Sequence, residues 1–182
     1  MGIESGKFLI AEPFLKDPNF KRSVVLICEH SEEGSIGFVI NNEFKHTLSE
    51  IVPELPSANW PLYLGGPVET DSLHFLHNIP SLIGGSKEIA SGVYWSQDFN
   101  TIIPLIKEGK IEGKNIRFYL GYSGWSEGQL EMEIEEKTWI ITNGDAAMVF
   151  SDSPHQTWKN SLKQMGGDFS IIANSPMDPQ LN

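Results

Sequence analysis

Five short apolar runs, each closed by glycine, proline, asparagine or a polar residue, fill the first half of the chain. They are KFLIA (7–11), SVVLICEH (23–30), GFVINN (37–42), LYLGG (62–66) and DSLHFLH (71–77). Runs of this length, rich in branched and aromatic side chains and bounded by turn formers, read as strands. Strand backbone needs partners, so their close succession predicts one curled sheet. NIRFYLGYS (115–123), TWIIT (138–142) and FSIIAN (169–174) read as further strands, and KEIASGVYWS as a hairpin around Ser91 and Gly92.

Helical signals are fewer. TLSEIV carries a turn of helix, and Ser96 or Asp98 is placed to cap a helix through DFNTIIPLIKEG, where Pro104 predicts a kink or a late start. SPHQTWKNSLKQMGG has Ser153 as N-cap, Pro154 at the first position, Gln156 at the third and Gly166 just past the end, with Trp158, Leu162 and Met165 on one face. No repeat, low-complexity tract or linker divides the 182 residues. The pattern predicts a single α+β domain: a mainly antiparallel curled sheet with flanking helices.

The segment GYSGWSEGQLEMEI (121–134) is the hardest to place, because Leu130, Met132 and Ile134 alternate as in a strand while other signals are helical. Ser126 and Gln129 stand in capping-box relation, Trp125 and Leu130 in hydrophobic-staple relation, and Glu133 precedes Lys137 by four residues. These predict a helix over 127–136, making GYSGW a strand-to-helix turn. Such a turn bearing Ser123 invites comparison with the nucleophile elbow G-x-S-x-G, but Trp125 occupies the position that requires a small residue. The favoured reading is structural: Gly121 permits a tight turn, and Tyr122 and Trp125 anchor it in the core. The free amides at such a helix start also make it a candidate for a small anion, for which Glu127 would compete.

A second polar group lies in CEHSEEGSIGFVINN, where His30 ends one run and Asn41 ends the next; Asp17, in the proline-flanked loop before them, is the third member. A histidine with such partners can act as a general base, although residues of this kind more often satisfy the backbone of tight connections. His74 and His77 form H-x-x-H, yet on a strand this spacing sends them to opposite faces, so no metal site is expected. No glycine-rich phosphate loop is present, and no cofactor is implied.

Thirteen Lys and Arg against 24 Asp and Glu give a formal charge of −11, and only Arg22 and Arg117 are arginines. Nucleic-acid binding relies on clustered cations, so a broad DNA-contacting surface is disfavoured. The single cysteine, Cys28, cannot form an internal disulfide, and no apolar stretch reaches the length of a membrane span. A cytoplasmic protein without membrane contact is expected.

Taken together, AEPFLKDPNFKRSVVLICEHSEEGSIGFVINN, YLGGPVETDSLHFLH, FYLGYSGWSEGQLEMEI and WKNSLKQMGGDFSIIANSPMDPQLN closely resemble the AlgH family, also called YqgE-like, of bacterial proteins. The resemblance covers nearly the whole chain. It implies an α+β fold whose strands curl into a bifurcated sheet or pseudo-barrel with helices outside, a transcriptional-regulator label, and no agreed catalytic residues. Asn42 and Glu43 depart from the basic residue and proline that usually follow the asparagine, which weakens any DNA-contacting role there. The combined expectation is a non-enzymatic protein that binds a small anionic ligand or a protein partner. Its candidate cleft comprises Asp17, His30, Asn41, Gly121, Tyr122, Ser123 and Trp125. A regulator contacting DNA directly and a hydrolase using Ser123 or His30 are the alternatives.

Overall fold

The structure, a computed structural model, describes residues 2–174. Its ten strands are β1 (Lys7–Ala11), β2 (Val24–Ser31), β3 (Gly34–Val39), β4 (Glu43–Thr47), β5 (Pro61–Leu64), β6 (Val68–His77), β7 (Lys87–Ala90), β8 (Val93–Ser96), β9 (Ile116–Ser126) and β10 (Trp139–Asn143). The helices are α1 (Leu48–Ile51), α2 (Phe99–Lys107), α3 (Gln129–Glu135), α4 (Ala146–Val149), α5 (Thr157–Met165) and α6 (Gly167–Ile172). The main path of the sheet runs β10-β1-β2-β3-β9-β6-β8-β7, with every neighbour antiparallel. β5 lies parallel to β9 and carries β4 on its other side.

The fork that this topology creates is built on β9. Residues Phe118 to Leu120 pair with β5, whereas Ser123 to Ser126 pair with β3, so one long strand serves two branches of the sheet. This is the bifurcated α+β architecture expected.

Uninterrupted apolar runs such as VVLIC arise because the sheet is covered on both sides. Side chains alternate along a strand, so Phe8, Ile10, Val24 and Leu26 enter one core with Trp158 and Leu162 of α5. Leu9, Ala11, Val25 and Ile27 enter the opposite core with Leu130 of α3. A third cluster forms under α1 and α2, around Leu48, Leu62, Phe75, Ile102, Ile106 and Phe118. Trp158 is further tied down by its indole N–H, which donates to the Ala11 carbonyl at 2.8 Å.

Several local expectations need correction. FSIIAN is helix, not strand. Gly166 and Gly167, with φ of 72° and 54°, turn the chain sharply after α5, and the helix that follows buries Ala173 and half-buries Ile172 while Phe169 and Ile171 stay exposed. α2 starts at Phe99, with the Asp98 carboxylate accepting from the Thr101 amide at 3.2 Å, so Pro104 does not delay it. The segment from Pro154 to Gln156 is a 3-10 turn and α5 proper begins at Thr157, Gln156 making no capping bond. β4 escaped detection because EFKHT is polar; its place is fixed by pairing to β5.

Candidate functional site

The segment 121–126 belongs to β9 rather than to a turn, and it passes through both cores. Gly121 adopts φ of 65°, and a Cβ there would lie 2.7 Å from the Val68 carbonyl oxygen. This left-handed residue flips the strand, so that Tyr119 and Tyr122, three positions apart, pack against the same cluster. Tyr122 sits edge-on to His74, with ring centroids 6.0 Å apart.

Ser123 is fully buried at the fork, and its hydroxyl donates to the Gly65 carbonyl at 3.0 Å. The same carbonyl accepts from the Val39 amide at 2.8 Å, and the Gly65 amide donates to Leu120. Glycine is required at 65 and 66 because added Cβ atoms would fall 2.4 Å from the Gly121 carbonyl and 2.2 Å from that of Tyr122. Ser123 therefore satisfies backbone where β3, β5 and β9 converge, without the exposure or the imidazole that a nucleophile needs.

Trp125 enters the opposite core, 5% exposed. Its indole N–H donates to Glu133 Oε2 at 2.9 Å, the Trp139 indole donates to the same oxygen at 2.7 Å, and Gln129 Nε2 donates to Oε1 at 2.9 Å. Glu133 was expected to pair with Lys137. Lys137 instead has a left-handed φ of 62°, which carries the chain out of α3 toward β10, and Glu133 faces the indoles. Phe20 completes the group, nearly parallel to Trp125 at 6.2 Å and edge-on to Trp139 at 5.5 Å.

The helix start also differs from expectation. Gly128, at φ of 70°, is the N-cap of α3, and Ser126 ends β9. Only the reach-back half of the capping box exists, because Gln129 Oε1 accepts both the Ser126 amide at 3.0 Å and its hydroxyl at 3.2 Å.

These side chains line a cavity of 270 Å³ between the loop after β1, β9, α3 and β10. Asp17, Phe20, Trp125, Gln129, Glu133 and Trp139 contribute to its wall, and no Lys, Arg or His does. Asp17 also shapes the loop: its carboxylate accepts from the Asn19 amide at 2.8 Å, and its carbonyl accepts from the amides of Phe20 and Lys21. Of the candidate residues, Asp17 and Trp125 thus meet at one cavity. Glu133 and Trp139, its other polar and aromatic anchors, were not anticipated; the available signal was two tryptophans flanking a helix that carries an inward-facing glutamate.

The remaining candidates lie elsewhere. Asn41 clips the start of β2, accepting from the Val24 amide at 2.8 Å and donating to the Arg22 carbonyl at 3.0 Å, which braces Arg22 in a left-handed conformation of φ 54°. His30 Nδ1 is 2.8 Å from Ser35 Oγ, and its Nε2 is 3.7 Å from Glu131 Oε1. The trio has the composition of a Ser-His-acid triad. Ser35 is 5% exposed, however, which shields its hydroxyl, and 3.7 Å is too long for a hydrogen bond between His30 and Glu131.

His74 and His77 do point apart: His74 contacts Ser72 and Gln97, while His77 contacts Ser86 and accepts from the Ile79 amide. Burial holds both below the ordinary imidazole value, His77 at about 4. Burial pushes the Cys28 thiol far above its usual range, leaving it unreactive near neutrality. Among the described residues no cluster of three or more His, Cys, Asp or Glu has the geometry to hold a metal, and no helix is long and apolar enough to cross a membrane.

Comparison with known proteins places this geometry among relatives. A family described as AlgH-like matches residues 8–170. A UPF0301 protein of Chlorobium phaeobacteroides is 42% identical over 180 residues, covering 99% of this chain and 96% of that protein. A UPF0301 protein of Cytophaga hutchinsonii is 43% identical over 181 residues, covering 99% and 100%. The solution structure of the AlgH protein from Pseudomonas aeruginosa superposes with a TM-score of 0.73 at 30% identity, over 97% of this chain and 98% of that one. The crystal structure of protein DIP2367 from Corynebacterium diphtheriae, at 22% identity and a TM-score of 0.78 over 96% and 94%, shares the fold.

Proposed function

Because this chain belongs to the AlgH-like family, we propose that it is a binding protein of the cytoplasm rather than an enzyme. On this reading it acts in regulation by receiving a cationic group in the cavity beside Trp125 and Trp139. The observation that carries the proposal is the pairing of three aromatic rings with the carboxylates of Glu133 and Asp17 in a wall that holds no basic side chain. Aromatic faces and carboxylates together favour a guanidinium or ammonium. The cavity, at 270 Å³, is below the usual size of a drug-like pocket and suits one arginine or lysine side chain of a protein partner. The charge of −11 would speed encounter with such a partner.

The test is a titration with an arginine-containing peptide, read by tryptophan fluorescence and by the indole N–H resonances of Trp125 and Trp139. A saturable change is expected, weakened by salt and by Asp17→Asn. An unchanged spectrum, or equal binding by Asp17→Asn and by a peptide with citrulline in place of arginine, would refute the reading. Direct DNA contact is the rival: specific DNA binding whose logarithm falls linearly with log salt would replace this proposal. Hydrolysis through the His30–Ser35 contact is the other, and covalent labelling of Ser35 by a fluorophosphonate would establish it.

A further inference from the structure

A second cavity, of 320 Å³, has the nearly buried Arg117 of β9 in its wall. Arg117 is 7% exposed. Its Nη1 donates to the carbonyls of Gly113 at 2.8 Å and Ile116 at 3.0 Å, and its Nη2 to those of Phe150 at 3.0 Å and Ser151 at 3.3 Å. All four acceptors are neutral. Among the described residues no carboxylate lies within ion-pairing distance of it, and its Nε–H, also buried, has no acceptor. Carbonyls at the end of α4 supply partial negative charge, but a buried cation with no anion in contact remains costly. Tyr63, 2% exposed, lines the same cavity, and the buried hydroxyl of Tyr119, whose ring lies 5.7 Å from that of Tyr63, likewise has no hydrogen-bond partner among the described residues.

The mouth has the opposite charge. Glu43 and Asp152 are exposed there, neither in an ion pair among the described residues, while the exposed Lys114 is engaged by Glu112 at 2.8 Å. Trp60 forms one wall, its ring so close to Gly113 that a Cβ there would come within 2.9 Å of it. A dianion such as phosphate would meet both carboxylates on entry, and a simple cation would meet Arg117 in the wall. We propose that this cavity binds a compact zwitterion, an α-amino acid, with its carboxylate directed at Arg117 and Tyr63 and its ammonium held between Glu43 and Asp152. The ligand carboxylate supplies the anion contact that Arg117 lacks, and the acidic rim selects the ammonium.

The experiment is a titration of the full chain with L-alanine, acetate and methylammonium, followed by amide resonances of Gly113 and Ser151 and the Arg117 Nε–H resonance. L-alanine should give saturable shifts at all three, acetate weaker ones, and methylammonium none. Asp152→Asn, at an exposed site that leaves folding intact, should weaken L-alanine at least several-fold and leave acetate unchanged. Arg117→Lys should abolish both responses; should that variant not fold, Tyr63→Phe takes its place and should weaken both. Acetate binding as tightly as L-alanine, inorganic phosphate binding more tightly than either, or an Asp152→Asn protein with undiminished L-alanine affinity would each overturn the proposal.

Discussion

Replacing Glu133 with alanine tests the arrangement on which the aromatic cavity depends. In the native protein one carboxylate accepts two indole N–H groups and the Gln129 amide. Trp125 and Trp139 are 5% and 3% exposed, so removal of the carboxylate strands two buried donors. Each stranded donor costs about 1–3 kcal/mol, giving about 2–6 kcal/mol for the pair. The adjoining cavity lets water reach part of the gap, which places the expected loss near the lower half of that range, about 3 kcal/mol. Glu133→Gln keeps one acceptor oxygen for the indoles but turns an NH₂ toward the Gln129 amide, and about 1–2 kcal/mol is expected. Urea unfolding measures both. With a slope of about 2 kcal/mol per molar, the alanine variant should shift the midpoint down by about 1.5 M without changing the slope. The loss should shrink when Trp139→Phe has already removed one donor, because the two sites share a partner. A midpoint within experimental error of the parent, or full additivity with Trp139→Phe, would refute the reasoning.

Ser123→Ala should lower stability by about 1 kcal/mol, the net value of one buried hydrogen bond, since Gly65 keeps its bond from Val39; a fluorophosphonate should leave Ser123 unlabelled in the native protein. Gly121→Ala should cost at least about 2 kcal/mol in urea unfolding, because the left-handed φ and a Cβ 2.7 Å from the Val68 carbonyl add strain to clash. His77 is held neutral, its value lowered from 6.5 to about 4. Between those pH values the unfolded chain takes up a proton that the folded chain refuses. The stability contribution is therefore complete above pH 6.5 and declines as pH falls toward 4, by at most about 3 kcal/mol. His77→Gln, measured by unfolding at pH 7 and pH 4.5, should flatten that decline; an unchanged pH slope would show that other groups cause it.

What the sequence by itself determined was local: the strands KFLIA and VVLIC, the hairpin at Ser91 and Gly92, a helix capped at Ser96 or Asp98, a helix within 127–136, and the family, because strand runs, caps and motif blocks are written in neighbouring residues; the structure chose Asp98 and started α3 after Gly128. FSIIAN misled because its apolar residues fit both periods, and a glycine turn outside the run chose the helix. The grouping of candidate site residues was decided only by tertiary structure. Side-chain direction on β9 depends on one left-handed glycine, and Ser123, Tyr122 and Trp125, close in sequence, are thereby sent to a fork and two different cores. Glu133 meets Trp125 and Trp139 because α3 folds back over β9 and β10, and Arg117 lies opposite Phe150 and Ser151 because the end of α4 passes beneath it. Contacts of that kind join residues far apart along the chain, and their energies depend on burial, which no local pattern of residues records.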